Sequence, residues 1–306
     1  MSTVATAQVE STPPTAEGVL RRLTRDPTVV LGVAVLFVIC AMAIAAPWLT
    51  EFDPSAIDPV ARNKTPGSVA TVRADDGSTR EARHWMGTDS LGRDISSRVV
   101  YGARVSLIVG VSVAVLSVTA GLAIGLVTGY LRWLDGVVMR VMDGLMAIPA
   151  ILLAIALVSL SSAGLVAVIV AIAVPQVPQI VRLVRSVVLS VREEPYVEAA
   201  ISVGTPTLPL MARHILPNTL PPLIVQATYI CATAILIEAL LSFLGVGIPP
   251  ETPTWGNIMA EGRTLFRVYP HSVFYPGVFL SLTVLAVNLL GDGLRDTLDP
   301  RMRKRL

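Results

Sequence analysis

Charge is scarce in this 306-residue chain. Asp, Glu, Lys and Arg together make up 15% of it, against about 25% in an ordinary soluble domain. Too few charged side chains remain to cover a water-facing surface, and the mean hydropathy of +0.67 excludes disorder. Lysine is nearly absent: Lys64 and Lys304 are the whole supply. Neither follows a glycine-rich turn, so no Gly-x-x-x-x-Gly-Lys-Ser/Thr loop exists to cradle nucleotide phosphates. The three histidines, His84, His214 and His271, are scattered, with no His-Glu-x-x-His pair and no Gly-x-Ser-x-Gly elbow. Both cysteines, Cys40 and Cys231, sit in apolar runs, which argues against a disulfide framework or a thiolate metal site. A net charge of +2 supplies no basic field for nucleic acid. The chain is expected to be non-catalytic, without metal or cofactor of its own, so that energy for any work enters from elsewhere.

What it has in abundance is long uncharged runs. A bilayer core of about 30 Å needs about 20 apolar helical residues. Such runs separate Asp26 from Glu51, Arg104 from Arg132, and His271 from Asp292. The run between Asp143 and Arg182 is long enough for two crossings, with Ser159–Gly164 as the turn. Another starts near Pro222 and reaches about Gly247, interrupted by Glu238. The fold class is therefore an all-α membrane protein with six transmembrane helices. With the N-terminus inside, 14 of the 24 Lys and Arg residues fall on the inner side, and eight of the outer ten lie in one long loop. Long loops are translocated with less regard to charge, so the pattern favours an N-in/C-in orientation. Arg21, Arg22 and Arg25 before an apolar run have the outline of a secretory signal, but the run is longer than such signals use. The resulting organisation is a cytoplasmic tail over 1–28, rich in Ser, Thr, Pro and Ala, then a first crossing over 29–50 and an external loop over 51–104. A five-helix core follows over 105–291, with a cytoplasmic loop at 182–217, and then a C-terminal tail over 292–306.

That cytoplasmic loop is unusually patterned. Glu198-Ala199-Ala200-Ile201-Ser202-Val203-Gly204 reads as a short helix ended by glycine, the residue that most easily takes the left-handed cap. Thr205-Pro206 starts a second segment through Leu208, Leu210 and Met211, and Pro217 is expected to stop it after His214-Ile215-Leu216. The two segments form an elbow presenting Ala199, Ala200 and Ile201, suited to lie in a groove on a partner. Spacing alone equally allows an amphipathic connector resting on the membrane surface.

The spacing of Glu198-Ala199-Ala200, three residues, Gly204, nine residues and His214-Ile215-Leu216-Pro217 resembles the signature loop of inner-membrane permeases of binding-protein-dependent ABC importers. His214 stands where the general pattern has isoleucine, and with Asn218 after Pro217 it looks like the peptide-importer branch. Gly87-Thr88-Asp89-Ser90-Leu91-Gly92-Arg93-Asp94, Tyr101-Gly102-Ala103-Arg104, Arg140-Val141-Met142-Asp143, Glu238-Ala239-Leu240-Leu241-Ser242, Pro253-Thr254-Trp255-Gly256 and Asn288–Asp296 resemble its C-type subunit. Pro195 replaces the polar residue expected ahead of the elbow, which would displace the start of its helix.

The resemblance implies a type I ABC importer permease fold in a bacterial cytoplasmic (inner) membrane. It implies a second homologous permease, two cytoplasmic ATPase subunits that bind ATP and Mg, and an extracytoplasmic solute-binding protein as partners. Dipeptides or oligopeptides are the implied cargo, with nickel, a metal chelate or glutathione as the alternative. Glu198, Ala199, Ala200, Gly204, His214, Leu216 and Pro217 would couple to the ATPase. A self-sufficient secondary transporter or membrane enzyme would need mid-membrane acids or a catalytic cluster, and would leave the elbow unexplained. Glu238 is the one clear charge inside a span; it lines the path or makes a structural hydrogen bond to a neighbouring helix. Asp143, Asn288 and Asp292 are read as helix caps, and Pro175 and Pro178 as a kink in the fourth crossing. Asp94 and Arg98 fit an i,i+4 pair. Arg93, Arg98 and Arg104 on the outer side call for acidic partners or snorkel at the interface.

Overall fold

The computed structural model describes residues 24–73, 79–161 and 164–298. The expected N-terminal tail before residue 24 and everything beyond 298 lie outside the described residues.

Helix α1 (Pro27–Ile44) is opened by Asp26, whose carboxylate accepts from the Thr28 amide at 2.9 Å, with Pro27 in the first turn where a missing N–H costs nothing. A short helix α2 (Ala46–Leu49) and a loop lead to an antiparallel hairpin of β1 (Ser68–Arg73) and β2 (Thr79–His84), paired from Ser68↔His84 to Arg73↔Thr79. Composition gives no sign of this hairpin, because its strands are short and polar. Helix α3 (Ile95–Tyr130) runs 36 residues, about 54 Å. It is followed by α4 (Arg132–Met146), α5 (Ala150–Leu160) and α6 (Leu165–Arg192). The elbow holds α7 (Pro195–Ser202), α8 (Thr207–Leu210) and one π-helical turn, Met211–Ile215, leading into α9 (Leu216–Phe243). Helices α10 (Trp255–Gly262) and α11 (His271–Leu298) complete the described part of the chain.

Five of these stretches are long and apolar enough to cross a bilayer, and the pair α4–α5, bent by 90° at a short break, brings the number to six when counted as one broken span. The third crossing is therefore not the straight helix the sequence suggests. Helix α5 has 11 residues, about 16 Å, half a bilayer. Pro149 forces the break, because it disfavours helix in the residue before it. Helix α4 already starts at Arg132 and is tied to α6 by two ion pairs, Asp135 with Arg185 and Asp143 with Arg182. Asp143 is thus an ion-pair partner rather than a cap, and the helix of the fourth crossing continues ten residues past Arg182 to Arg192. Asp292 also departs from capping: it accepts a hydrogen bond from the Tyr229 hydroxyl. Pro175 and Pro178 both fall inside the uninterrupted helix α6.

Helices α3 and α6 pack in parallel along a glycine seam. Gly121, Gly125 and Gly129 face Ile180, Val184 and Val188, one contact per four residues on each helix. A methyl group at Gly125 or Gly129 would lie 2.7 Å from the facing valine Cβ. Small residues at this spacing let backbones approach closely, which is how membrane helices gain contact without a hydrophobic driving force. The buried side chains Val109, Val113, Ile172, Val184, Ile230 and Leu241 continue this core across α3, α6 and α9.

At the hairpin end, the loop before α3 is a buried electrostatic knot. Asp94 caps α3, accepting from the Ser97 amide at 2.6 Å, and its other oxygen meets His84 Nδ1 at 2.9 Å. Arg98 does not pair with Asp94. It reaches Asp89 at 3.4 Å and Glu261 of α10 at 3.2 Å, while Arg93 binds Asp89 at 2.7 Å and also Glu261. Capping competes for the Asp94 carboxylate, and the i,i+4 spacing that suggested the pair loses to it. The acidic partners of Arg93 and Arg98 are thus nearby loops and α10, and Arg104 donates to the carbonyls at the end of α1. Burial raises the Glu261 carboxyl above the ordinary glutamate range, with Arg98 and Arg93 opposing that shift. Gly87 and Gly92 take φ of +81° and +83°, and a side chain on Gly92 would collide with the Asp58 carbonyl. Trp255 is fully buried against α3, donating from Nε1 to the Val99 carbonyl at 3.0 Å.

Candidate functional site

The elbow projects from the end of the bundle opposite the hairpin. Helix α6 ends at Arg192, whose guanidinium caps α3 by donating to the Tyr130 carbonyl at 3.1 Å. Pro195 then occupies the first turn of α7, so the helix starts three residues ahead of Glu198 and places that acid in its first turn, where the helix dipole favours it. Gly204 closes the helix with φ of +85°. The Thr205 amide donates to the Ala200 carbonyl at 3.1 Å and the Gly204 amide to the Ile201 carbonyl at 2.9 Å. This is a Schellman cap, and it demands the left-handed conformation at Gly204.

Beyond the cap, Pro217 does not stop the second segment. The π-helical turn Met211–Ile215 widens the helix just before it, and Thr207–Phe243 reads as one 37-residue span. The Asn218 side chain donates to the His214 carbonyl at 2.6 Å and to the Tyr196 hydroxyl at 3.1 Å, stitching the two arms together. The His214 ring sits beside that of Tyr196, with centroids 6.1 Å apart. Underneath, Val197, Leu210 and Ile215 are fully buried and anchor the elbow to the core.

The sequence-selected residues divide by this geometry. Glu198, Ala199, Gly204 and Pro217 are exposed; Ala200, His214 and Leu216 are half-buried supports. The apolar tip is broader than Ala199, Ala200 and Ile201. Val203 is 87% exposed, Leu208 77% and Ile201 48%, with Tyr196 beside them. Val203 and Leu208 flank the glycine turn, and their signal was their place: large aliphatic residues on either side of a forced turn have nowhere to point but outward. Among the described residues no helix covers this patch.

Glu238 is remote from the elbow. It is 0% exposed, held at the junction of α3, α9 and α10. Ser242 donates to one carboxylate oxygen at 2.9 Å and Ser106 to the other at 3.4 Å, with the Thr254 hydroxyl also in reach. Among the described residues no group of three or more His, Cys, Asp or Glu could hold a metal ion.

The chain matches two family profiles: the binding-protein-dependent transport system inner membrane component over residues 96–304, and the N-terminal transmembrane domain of oligopeptide transport permease C over residues 16–66. A probable peptide ABC transporter permease of Sinorhizobium fredii is 51% identical over 94% of each chain. A dipeptide transport system permease of Alkalihalophilus pseudofirmus is 40% identical, covering 92% of this chain and 89% of its own. A glutathione transport system permease of Pectobacterium atrosepticum is 38% identical over 92% and 90%. Among solved structures, the inward-facing methionine ABC transporter MetNI superposes with a TM-score of 0.55 at 20% identity, covering 66% of this chain and 96% of that one, a likeness of fold.

Proposed function

Because the chain belongs to the family of inner membrane components of binding-protein-dependent transport systems, we propose that it pairs with a second, homologous permease to enclose the translocation path of an ATP-driven peptide importer. Two cytoplasmic ATPases supply the energy and an extracytoplasmic solute-binding protein delivers the cargo. ATP and Mg belong to those ATPases, in keeping with a chain that has no P-loop. On this reading the elbow faces the cytoplasm and the hairpin end faces outward, with the N- and C-termini inside.

The observation that carries the reading is the elbow itself: an apolar tip at Ile201, Val203 and Leu208, held by a Schellman cap and fused without a loop to a membrane span. A partner cleft that grips the tip moves the span with it. Glu198 and Ala199 lie on the exposed surface, Gly204 sets the bend, and Ala200, His214, Leu216 and Pro217 hold the arms in register. Glu238 stands as a structural acid joining three helices by hydroxyl hydrogen bonds, rather than as a group on the path. Peptide cargo follows the names of relatives up to 51% identical. The glutathione permease relative supports a second reading in which the cargo is a modified tripeptide.

The test is Gly204→Val. A β-branched residue in the left-handed region is strained by about 1–2 kcal/mol, which unwinds the cap without touching the core. Expected is a complex that still inserts and copurifies but hydrolyses ATP without peptide uptake. Normal uptake at wild-type expression would overturn the coupling role. Mass spectrometry of what copurifies with the intact chain, and with residues 198–204 deleted, identifies the partners directly.

A further inference from the structure

Toward the elbow end of the spans, α9, α11 and the last turns of α6 enclose a groove of about 620 Å³. Its walls are Leu183, Pro221, Pro222 and Val225, but its remaining lining is polar: Gln226, Tyr229 and Arg295. Gln226 is half-buried, about one turn inside the crossing that starts near Pro222, and its side-chain amide has no hydrogen-bond partner among the described residues. Tyr229 donates its hydroxyl to Asp292 across the groove. The Arg295 guanidinium lies alongside that hydroxyl, and among the described residues no carboxylate comes within ion-pair distance of it. The prolines add acceptors. Pro221 and Pro222 have no N–H, so the carbonyls of Pro217 and Asn218, both lining the groove, lack their helical donor.

Arg295 and Asp292 are exposed and Gln226 is half-buried, so the groove is open to water at this end of the spans, and its polar groups face water or a guest rather than lipid tails. The inventory is a cation without a carboxylate, a free amide that both donates and accepts, and undonated carbonyls, set between aliphatic and proline walls. A zwitterionic chain of amides with a terminal carboxylate matches it group for group. An anionic lipid headgroup matches Arg295 but leaves Gln226 and the freed carbonyls without partners, and Asp292 opposes either anion alike.

We infer that this groove holds a peptide in transit on the elbow side of the path, its terminal carboxylate on Arg295 and the Gln226 amide and its main-chain amides on Gln226 and the freed carbonyls. The inference rests on the peptide-importer reading above. It makes Gln226 and Arg295 positioning groups that read the main chain and terminus, which is how one path passes many side chains.

The experiment uses the complete transporter in proteoliposomes, with Cys40→Ala and Cys231→Ala as background. Gln226→Cys is probed with a cationic, membrane-impermeant thiol reagent from the ATPase side. The expected result is modification that slows at least threefold when ATP and a peptide-loaded binding protein drive turnover. Arg295→Gln is expected to lower uptake at least tenfold while ATP hydrolysis stimulated by the loaded binding protein stays within twofold of wild type, and Arg295→Lys is expected to recover part of the uptake. No modification, modification indifferent to peptide, or unchanged uptake by Arg295→Gln would each overturn the groove. Protection by phosphatidylglycerol without peptide would assign the site to a lipid headgroup and overturn it as well. If the wild-type complex takes up no peptide and its ATPase ignores the loaded binding protein, the cargo reading itself has failed, and the groove proposal with it.

Discussion

The seam between α3 and α6 can be tested with one added methyl group. In Gly125→Ala the new Cβ would lie 2.7 Å from Val184 Cβ, 2.9 Å from its Cγ1 and 3.0 Å from the Val181 carbonyl oxygen. Carbon atoms sit best at about 3.5–4.0 Å, so the two helices must part by about 1 Å. Rotating a side chain does not help, because a Cβ is fixed to the backbone. Overpacking of this kind costs about 1–3 kcal/mol. Alanine also favours helix over glycine by about 1 kcal/mol, and that gain must be removed before the steric cost is visible. Gly144→Ala does so: Gly144 is also helical, in α4, with nothing within 4 Å of its added methyl. The propensity terms cancel between the two variants, leaving the seam alone. In mild detergent, Gly144→Ala is expected to melt at or slightly above wild type and Gly125→Ala several degrees below it, a gap on the order of 5 °C by the usual scaling for a chain this long. Equal melting temperatures would show that the seam yields freely, and would refute close packing as what joins α3 to α6.

Three further outcomes follow from the same geometry. Glu261→Ala strips Arg93 and Arg98 of a shared partner and leaves two buried cations on Asp89, a loss of about 3 kcal/mol; thermal melting near wild type would contradict the knot as a clamp between α3 and α10. Glu238→Gln keeps an acceptor for one serine and offers the other an N–H that its hydroxyl can accept, and is expected to preserve both stability and uptake, whereas Glu238→Leu orphans buried hydroxyls and costs about 1–3 kcal/mol. Loss of uptake in a fully stable Glu238→Gln would place that acid on the path after all. Leu208→Glu puts a charge on the exposed tip without disturbing the buried anchors Val197 and Leu210; copurification of the ATPases is expected to fall at least tenfold while melting is unchanged, and undiminished copurification would move the docking surface elsewhere.

The spans and the elbow could be read directly because each rests on a local signal: an uncharged run of about 20 residues, or a glycine at a cap. What escaped was whatever depended on a distant partner. Asp143 looks like a terminal cap until Arg182 appears across the helix pair, 39 positions away in the chain. Asp94 and Arg98 have ideal spacing, yet the α3 N-terminus claims one and Glu261 the other. Pro217 is an ordinary helix stop by local rules, and only the π-helical turn ahead of it, anchored by buried Ile215, lets the helix pass through. The 90° bend is a similar case: Pro149 announces a break, but not its angle. The run Gly87–Asp94 suggested kinship from its letters alone, while its physical content, two left-handed glycines folding a carboxylate-rich loop onto two arginines, depends on the folded chain.

The absence of any loop between elbow and span has a mechanical consequence. From Thr207 to Phe243 the chain runs helically for 37 residues without a loop, about 55 Å. A helix pivoting near its middle, where Leu223 and Ile230 are buried, converts tilt at one end into displacement at the other. About 5° of rotation shifts an end by roughly 2–3 Å at half that length, enough to open or close a gap the width of a water molecule. Phe243, at the far end, leads through the next loop to α10 and the charged knot around Glu261. On the coupling reading, a push on Leu208 would reach the region beside Trp255 with its direction reversed, along a helix with no loop to absorb it.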